Sequence, residues 1–78
     1  MKIVRRMGDA PRLRGCGSGE TCPDIFELSD SNFAVVGTDA TDSLRGRLPQ
    51  GVTLDPGERV VVITRATMVS AKRDLPDA

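Results

Sequence analysis

Cys16 and Cys22 are the only two thiols in this sequence of 78 residues. A structural zinc needs four ligands, so these thiols would need a second copy of the chain, or carboxylates such as Asp24, to complete a site. A disulfide between them is sterically possible, but in a reducing cytosol it would usually stay open. We therefore expect two unbridged cysteines that pack as small, partly apolar side chains at the base of a loop. A metal or redox module built on them remains an alternative.

The chain contains no His, Tyr or Trp. Histidine is the usual general base near neutral pH and the usual neutral metal ligand. A Ser-His or Cys-His nucleophile is therefore impossible within one chain. The composition predicts a protein that is not an enzyme and that carries no cofactor.

Residues 15–19 form a glycine-rich segment around Cys16. Backbone amides in such a segment could form a nest for an anion. The segment lacks the Lys-Ser/Thr ending of a P-loop, and it precedes a predicted strand instead of leading from a strand into a helix. We interpret it as a turn before a hairpin.

Four arginines near the beginning of the chain are the candidates for contacts with a partner: Arg5, Arg6, Arg12 and Arg14. They could contact phosphates, so a nucleic-acid accessory protein is a second alternative. However, the sequence shows no recognition helix and no aromatic stacking platform. Residues 20–42 carry six acidic side chains and no Lys or Arg. We expect the arginines to form a solvated basic edge or to pair with this acidic segment, within one fold or between two copies.

Residues 1–23 are predicted to be a basic arm with a short edge strand over residues 2–7. Residues 24–38 have the pattern of an antiparallel β-hairpin, in which Phe26 and Leu28 alternate with Glu27 in a half-buried strand. The polar residues 29–32 have turn chemistry.

Residues 39–49 are predicted to form a short helix with Thr41 as its N-cap. Asp42 then favours the positive end of the helix dipole, so Asp39 and Asp42 are better explained by capping than by an acid or cation site. The apolar stripe of this helix consists of Ala40, Leu44 and Leu48.

Residues 58–64 are predicted to form the central strand of the fold. The run from Arg59 to Ile63 holds consecutive β-branched residues, so both faces of such a strand would be apolar and would need cover. Residues 65–73 are predicted to form a helix capped by Thr64, with Met68, Ala71 and Leu75 on one face. The alternative is that this segment extends the strand, which would be long for so small a domain.

A chain of this length makes one domain and buries only about 60% of its unfolded surface. Phe26 and Phe33 are its only aromatic residues, so we expect a small aliphatic core and a stabilising protein partner, either a second copy or another protein. Arg5 and Arg6 interrupt the apolar beginning of the chain, so no secretion signal is expected. With no run long enough to span a membrane, we expect a cytoplasmic location.

The order of segments resembles a known family of small proteins. Glycines precede residues 20–27, which read ETCPDIFE; residues 33–39 read FAVVGTD; and a β-run closes on Thr64 before a short helix. This order is similar to that of the small actinobacterial DUF397 and BldB-like regulatory proteins. The resemblance implies a non-enzymatic regulatory or antitoxin-like partner of a helix-turn-helix regulator, without catalytic residues.

Taken together, the sequence predicts an α+β domain with an antiparallel sheet of three or four strands and one or two short helices. The expected function is that of a protein-interaction or regulatory module.

Overall fold

The computed structural model describes residues 1–15 and 22–77, and it confirms the predicted α+β class. Strands β1 (Ile3–Arg6), β2 (Asp24–Leu28) and β3 (Phe33–Val36) form one antiparallel sheet in the order β1-β2-β3. Strands β4 (Thr38–Asp39) and β5 (Val61–Val62) form a second, two-stranded sheet. The helices are α1 (Thr41–Leu44) and α2 (Arg65–Lys72), and 3-10 turns cover Pro11–Arg14 and Arg45–Arg47.

The predicted hairpin is confirmed. Strand β2 pairs with β3 from Asp24 opposite Val36 to Glu27 opposite Phe33. The loop closes through two backbone hydrogen bonds, in which Leu28 N donates to Asn32 O at 2.8 Å and Ser31 N donates to Leu28 O at 3.1 Å. Polar residues with short side chains suit such a turn because they bond the nearby backbone.

The predicted edge strand is also confirmed, and its partner decides which strand lies at the centre of the sheet. Strand β1 pairs with β2 on the side away from β3. The central strand is therefore β2.

The prediction of a central strand over residues 58–64 is wrong. Only Val61 and Val62 are in strand conformation, and these side chains are 39% and 49% exposed. The strand stops where Val60 meets the beginning of α1: Val60 N donates to Thr41 Oγ1, and Val60 O accepts from Ala40 N. A β-branched run is compatible with cover on both faces, but within residues 1–15 and 22–77 only Ile63 from this run packs against the core.

The core is very small. Among the described residues, its buried apolar members are Met7, Ile25 and Ala71, and Ile63 packs against them. The predicted C-terminal helix is confirmed as α2, with Thr64 at its N-cap accepting a hydrogen bond from Thr67 N at 3.2 Å. Its buried face consists of Thr67 and Ala71.

The predicted apolar face of α2 is only partly correct. Ala71 is fully buried, but Met68 and Leu75 are 52% and 43% exposed. A polar residue, Thr67, takes the place beside Ala71 because its hydroxyl is fully used in internal hydrogen bonds, as described below.

Helix α1 is shorter than the predicted helix over residues 39–49, and its cap differs. Thr41 is the first helical residue, so it is not the N-cap. Instead, the Oδ1 atom of Asp39 accepts from Thr41 N at 2.9 Å and from Thr41 Oγ1 at 2.6 Å. These bonds lower the pKa of Asp39. Capping therefore does explain the presence of Asp39, because its carboxylate accepts from the amide of Thr41, the first residue of α1.

The turn after β1 docks onto the C-terminal end of α2. Gly8 N donates to Asp74 Oδ2 at 2.7 Å, and Asp9 N donates to Ser70 Oγ at 2.7 Å. Arg73 reaches back to Asp9, with 3.1 Å between Nη1 and Oδ1. This joint connects the beginning of the described chain to its last helix.

The joint makes the stability of the fold sensitive to acid. The amide of Gly8 and the guanidinium of Arg73 stabilise the charged carboxylate of Asp74 and lower its pKa. The stabilisation is therefore fully present above the ordinary unfolded pKa of about 3.9 and is lost as the pH falls through the lower, folded pKa. We expect the free energy of unfolding to decrease below about pH 5 in the native chain, and to decrease less in Asp74→Asn.

Urea denaturation at a series of pH values checks this expectation. The matched control is Asp77→Asn, because the Asp77 side chain makes no hydrogen bond or ion pair within the described part of the chain. Parallel pH profiles for the native chain and Asp74→Asn would contradict the assignment.

The molecule exposes more surface than a compact chain of its size. Its accessible area is 6084 Å², compared with about 4,600 Å² expected for a compact monomer. Its radius of gyration is 13.8 Å, compared with about 11.5 Å expected. Within the described residues, none of the helices has both the length and the apolar character to cross a bilayer.

Candidate interaction surface

Three of the four candidate arginines pair with carboxylates of the acidic segment inside the fold. Arg5 Nε donates to Glu27 Oε1 at 2.8 Å, and Arg6 Nε donates to Asp24 Oδ2 at 2.8 Å. Arg14 Nη2 lies 3.4 Å from Asp24 Oδ1. The predicted pairing between the basic arm and the acidic segment is confirmed within one chain.

Arg14 is placed where a partner cannot reach it. Its side chain is only 4% exposed. The guanidinium donates to Asp9 O at 2.9 Å, to Thr67 Oγ1 at 2.7 Å and to Pro23 O at 3.0 Å. The Thr67 hydroxyl in turn lies 2.7 Å from Thr64 Oγ1. Arg14 therefore joins the arm, the beginning of β2 and helix α2, and it drops out of the candidate interaction surface.

The strand register places a set of apolar side chains on the sheet face away from α2. Ile25 faces α2, because it packs with Ala71 in the core. Successive side chains of a strand point to opposite faces, so Phe26 and Leu28 point away from the helix. Residues directly opposite each other share a face. The outer face, a name we keep below, therefore consists of Ile3, Arg6, Asp24, Phe26, Leu28, Ala34 and Val36.

This arrangement corrects the interpretation of the hairpin pattern. Phe26 and Leu28 alternate with Glu27 as predicted, but the face that contains the core belongs to Ile25. Phe26 is half-buried by the guanidinium of Arg6, which lies 5.5 Å from the centre of its ring.

A groove of about 420 Å³ opens at one end of the outer face. Phe26 and Val36 line it from the sheet, and Pro11 lines it from the 3-10 turn. The guanidinium-bearing residues Arg6 and Arg12 also line it. Arg12 is exposed, and its side chain forms no ion pair with any residue in 1–15 or 22–77. Asp24, which pairs with Arg6, lines it as well. The groove therefore combines apolar side chains and an ion pair with the unpaired cation of Arg12.

Cys22 also lines this groove, and it belongs to a disulfide. The prediction that the cysteines are unbridged is wrong for Cys22. Spacing alone could not decide this, because the redox environment and not the spacing decides whether two close thiols join. A disulfide sulfur is not a thiolate, so Cys22 is no zinc ligand in this form.

Cys16 and the glycine-rich segment over residues 16–19 lie outside the described residues. Among the residues that the structure does describe, no group of three or more potential ligands could hold a metal ion.

Comparisons with family models, with curated proteins and with solved structures found no match to this chain. Function must therefore be argued from the surface itself.

Sequence reasoning missed the outer groove, although one signal for it was present. The four-residue loop fixes which residues of the two strands lie opposite each other, and this pairing places Phe26 and Val36 on one face. The contribution of Pro11 and Arg12 could not be predicted, because it depends on how the arm folds back over the sheet.

Proposed function

We propose that this protein is a non-enzymatic protein-interaction or regulatory module that receives a partner protein on its outer face. The observation that carries the proposal is a largely apolar sheet face of which the 3-10 turn Pro11–Arg14 covers only one end, so that Ile3 and Val36 remain 62% and 52% exposed. A sheet with a helix on one face normally has its other face either polar or packed.

The chemistry of the groove favours a partner segment with an apolar side chain next to carboxylates. Phe26 and Val36 offer apolar contact area, and Arg12 offers an unpaired cation at the rim. Interface cores are depleted in charge and enriched in aromatic residues and Arg, while charge pairs at the rim contribute orientation and association rate.

The kind of partner is supported by the resemblance alone. The DUF397-like order of segments suggests a helix-turn-helix regulator as the partner, with this chain acting in an antitoxin-like role. The cytoplasmic location that goes with this role stays a prediction.

The nucleic-acid alternative has less support in the structure. Glu27 pairs with Arg5, and Asp24 pairs with both Arg6 and Arg14. Of the four candidate arginines, Arg12 alone has no such pair within the described residues, and one phosphate contact supports little affinity.

Capture experiments with the purified, tagged chain test the proposal. Arg12→Glu reverses the charge at the rim, and Val36→Asp places a charge where the partner would cover it. Each variant should reduce the amount of captured partner about tenfold, which corresponds to about 1.4 kcal/mol. The matched controls are Arg47→Glu and Val69→Asp, which change exposed residues away from the groove and should leave capture unchanged.

Equal capture by all five proteins would overturn the proposal. Retention of nucleic acid that falls steeply as salt rises would favour the alternative instead. Identification of the captured protein by mass spectrometry then shows whether it is a helix-turn-helix regulator.

A further inference from the structure

Strand β3 is an edge of the three-stranded sheet, and half of its backbone groups lack partners. Antiparallel neighbours alternate between pairs that exchange hydrogen bonds and pairs that do not. The bond from Leu28 N to Asn32 O shows that even-numbered residues of this strand face β2. It follows that Ala34 and Val36 bond to β2, whereas the N–H and C=O groups of Phe33 and Val35 point outward. Within the described residues these outward groups have no hydrogen-bond partner.

The side chains of β3 do nothing to block another strand. Phe33, Val35 and Val36 are 38%, 45% and 52% exposed, and Ala34 completes an edge without charge or proline. Natural edge strands usually carry charged residues, prolines or bulges that prevent pairing. The opposite edge follows this rule, because β1 has an irregular register between Ile3 and Arg5 and carries two arginines.

We propose that a second copy of this chain docks along β3, so that the two sheets join into one sheet of six strands. This inference goes beyond the proposed function, because it names self-association at a strand edge and not the capture of another protein on the outer face.

The edge is complementary to itself. Phe33 and Val35 lie symmetrically on either side of Ala34, and each offers one donor and one acceptor. A twofold axis through Ala34 pairs Phe33 with Val35 of the second copy, and all four outward groups of each copy are then satisfied. Such an isologous contact closes after two copies. It also sets an aromatic ring beside a β-branched side chain, which is a favourable cross-strand pair.

The surplus surface of the molecule is large enough for such a contact. The chain exposes 6084 Å², which exceeds the compact expectation by about 1,500 Å². A standard interface buries about 800 Å² on each partner. A second copy along β3 would cover part of this surface at Phe33, Val35 and Val36, which are 38%, 45% and 52% exposed.

The acidic residues at the two ends of β3 allow a second copy of the chain to be distinguished from a basic peptide bound at the same edge. The hairpin turn that carries Asp30 lies before β3, and Asp39 lies beyond its other end, so the proposed pairing brings Asp30 of one copy towards Asp39 of the other. The acids repel each other across the interface, so added salt should strengthen self-association. A basic peptide on the same edge would instead bind more weakly as salt rises.

Analytical ultracentrifugation of the full chain tests the proposal. At about 100 µM the native protein should sediment mainly as a dimer, since a Kd near 10 µM leaves only about a fifth of the chains monomeric. Val35→Lys places a charge at the edge, and Val35→Pro removes an outward N–H that β2 does not use. Each should weaken the dimer at least tenfold while far-UV circular dichroism shows an intact fold. The matched controls are Val4→Lys on the β1 edge and Val69→Lys on α2, which should remain dimeric.

Amide hydrogen exchange provides the second measurement and shows which surface is used. In the native protein at the same concentration, the Phe33 amide should exchange about two- to fivefold more slowly than in Val35→Lys. A native chain that stays monomeric, a dimer unaffected by both Val35 variants, or fast exchange at Phe33 in the dimer would each overturn the inference. Arg12→Glu leaves β3 unchanged, whereas Val36→Asp lies within it, so the Arg12→Glu capture result distinguishes failure of one proposal from failure of the other.

Discussion

Replacing Gly8 with alanine is expected to destabilise the fold by about 3 kcal/mol or more. Gly8 has a φ of +83°, where an L side chain is strained. An added Cβ would also lie 2.6 Å from the carbonyl carbon of Ser70 and 2.7 Å from its carbonyl oxygen. These are backbone atoms of α2, so they cannot rotate away, and the turn would have to leave the helix.

The loss would be large compared with the total stability. A domain of this length has roughly 4–12 kcal/mol available, and three buried apolar residues in the described core place this protein toward the lower end. Displacement of the turn also breaks the bonds from Gly8 N to Asp74 and from Asp9 N to Ser70. Urea denaturation followed by far-UV circular dichroism measures the effect, since the chain has no Trp or Tyr for fluorescence.

Substitutions at two other glycines distinguish the backbone strain at Gly8 from its close contact with α2. Gly57 has a φ of +92° with nothing within 4 Å of an added Cβ, so Gly57→Ala should cost only the backbone strain of about 1 kcal/mol. Gly46 has neither feature, so Gly46→Ala should be neutral. If Gly8→Ala unfolded at the same urea concentration as Gly57→Ala, the close contact with α2 would not exist in solution.

Replacing Arg14 with methionine is expected to cost about 3–5 kcal/mol. The side chain is only 4% exposed, and its guanidinium donates to two backbone carbonyls and the Thr67 hydroxyl. Methionine has a similar length but no donor, so these acceptors would stay buried without partners. Asp24, whose side chain is 8% exposed, would keep only the pairing with Arg6.

The control for Arg14→Met is Arg12→Met, which changes the same residue type two positions earlier in the same 3-10 turn. Arg12 is exposed and has no ion pair within the described part of the chain, so its replacement should change the free energy of unfolding by less than about 0.5 kcal/mol. Arg14→Lys should recover only part of the loss, because an ammonium cannot reproduce the fork of a guanidinium. Equal urea midpoints for Arg14→Met and Arg12→Met would show that the buried network contributes nothing.

The buried position of Arg14 also has a consequence for function. A sequence view treats the four arginines of the arm as equivalent candidates for an interaction surface. The structure divides them by role: Arg14 holds the fold together, Arg5 and Arg6 are held by Glu27 and Asp24, and Arg12 remains for a partner. A variant that removes all four would therefore measure stability first and binding second.

The sequence alone determined the parts of the fold that depend on neighbouring residues. The hairpin follows from the alternation in residues 24–28 and from the turn chemistry of residues 29–32, which act within four residues. The helix α2 follows from Thr64, whose hydroxyl caps an amide three residues later. The edge strand β1 and the pairing of the basic arm with the acidic segment were also predictable, the latter because opposite charges so unevenly distributed attract.

Only the tertiary structure decided which strand lies at the centre and which side chains meet a partner. Residues 58–64 and 24–28 both have strand character, and a period of two does not say which strand gains neighbours on both sides. The same period does not say which face α2 will cover, so Ile25 entered the core and Phe26 did not. The roles of Arg14 and Cys22 depend on contacts between residues that the chain brings together only when the arm folds over the sheet. Local chemistry specifies elements over a few residues, whereas the choice among compatible packings is made by contacts across tens of residues.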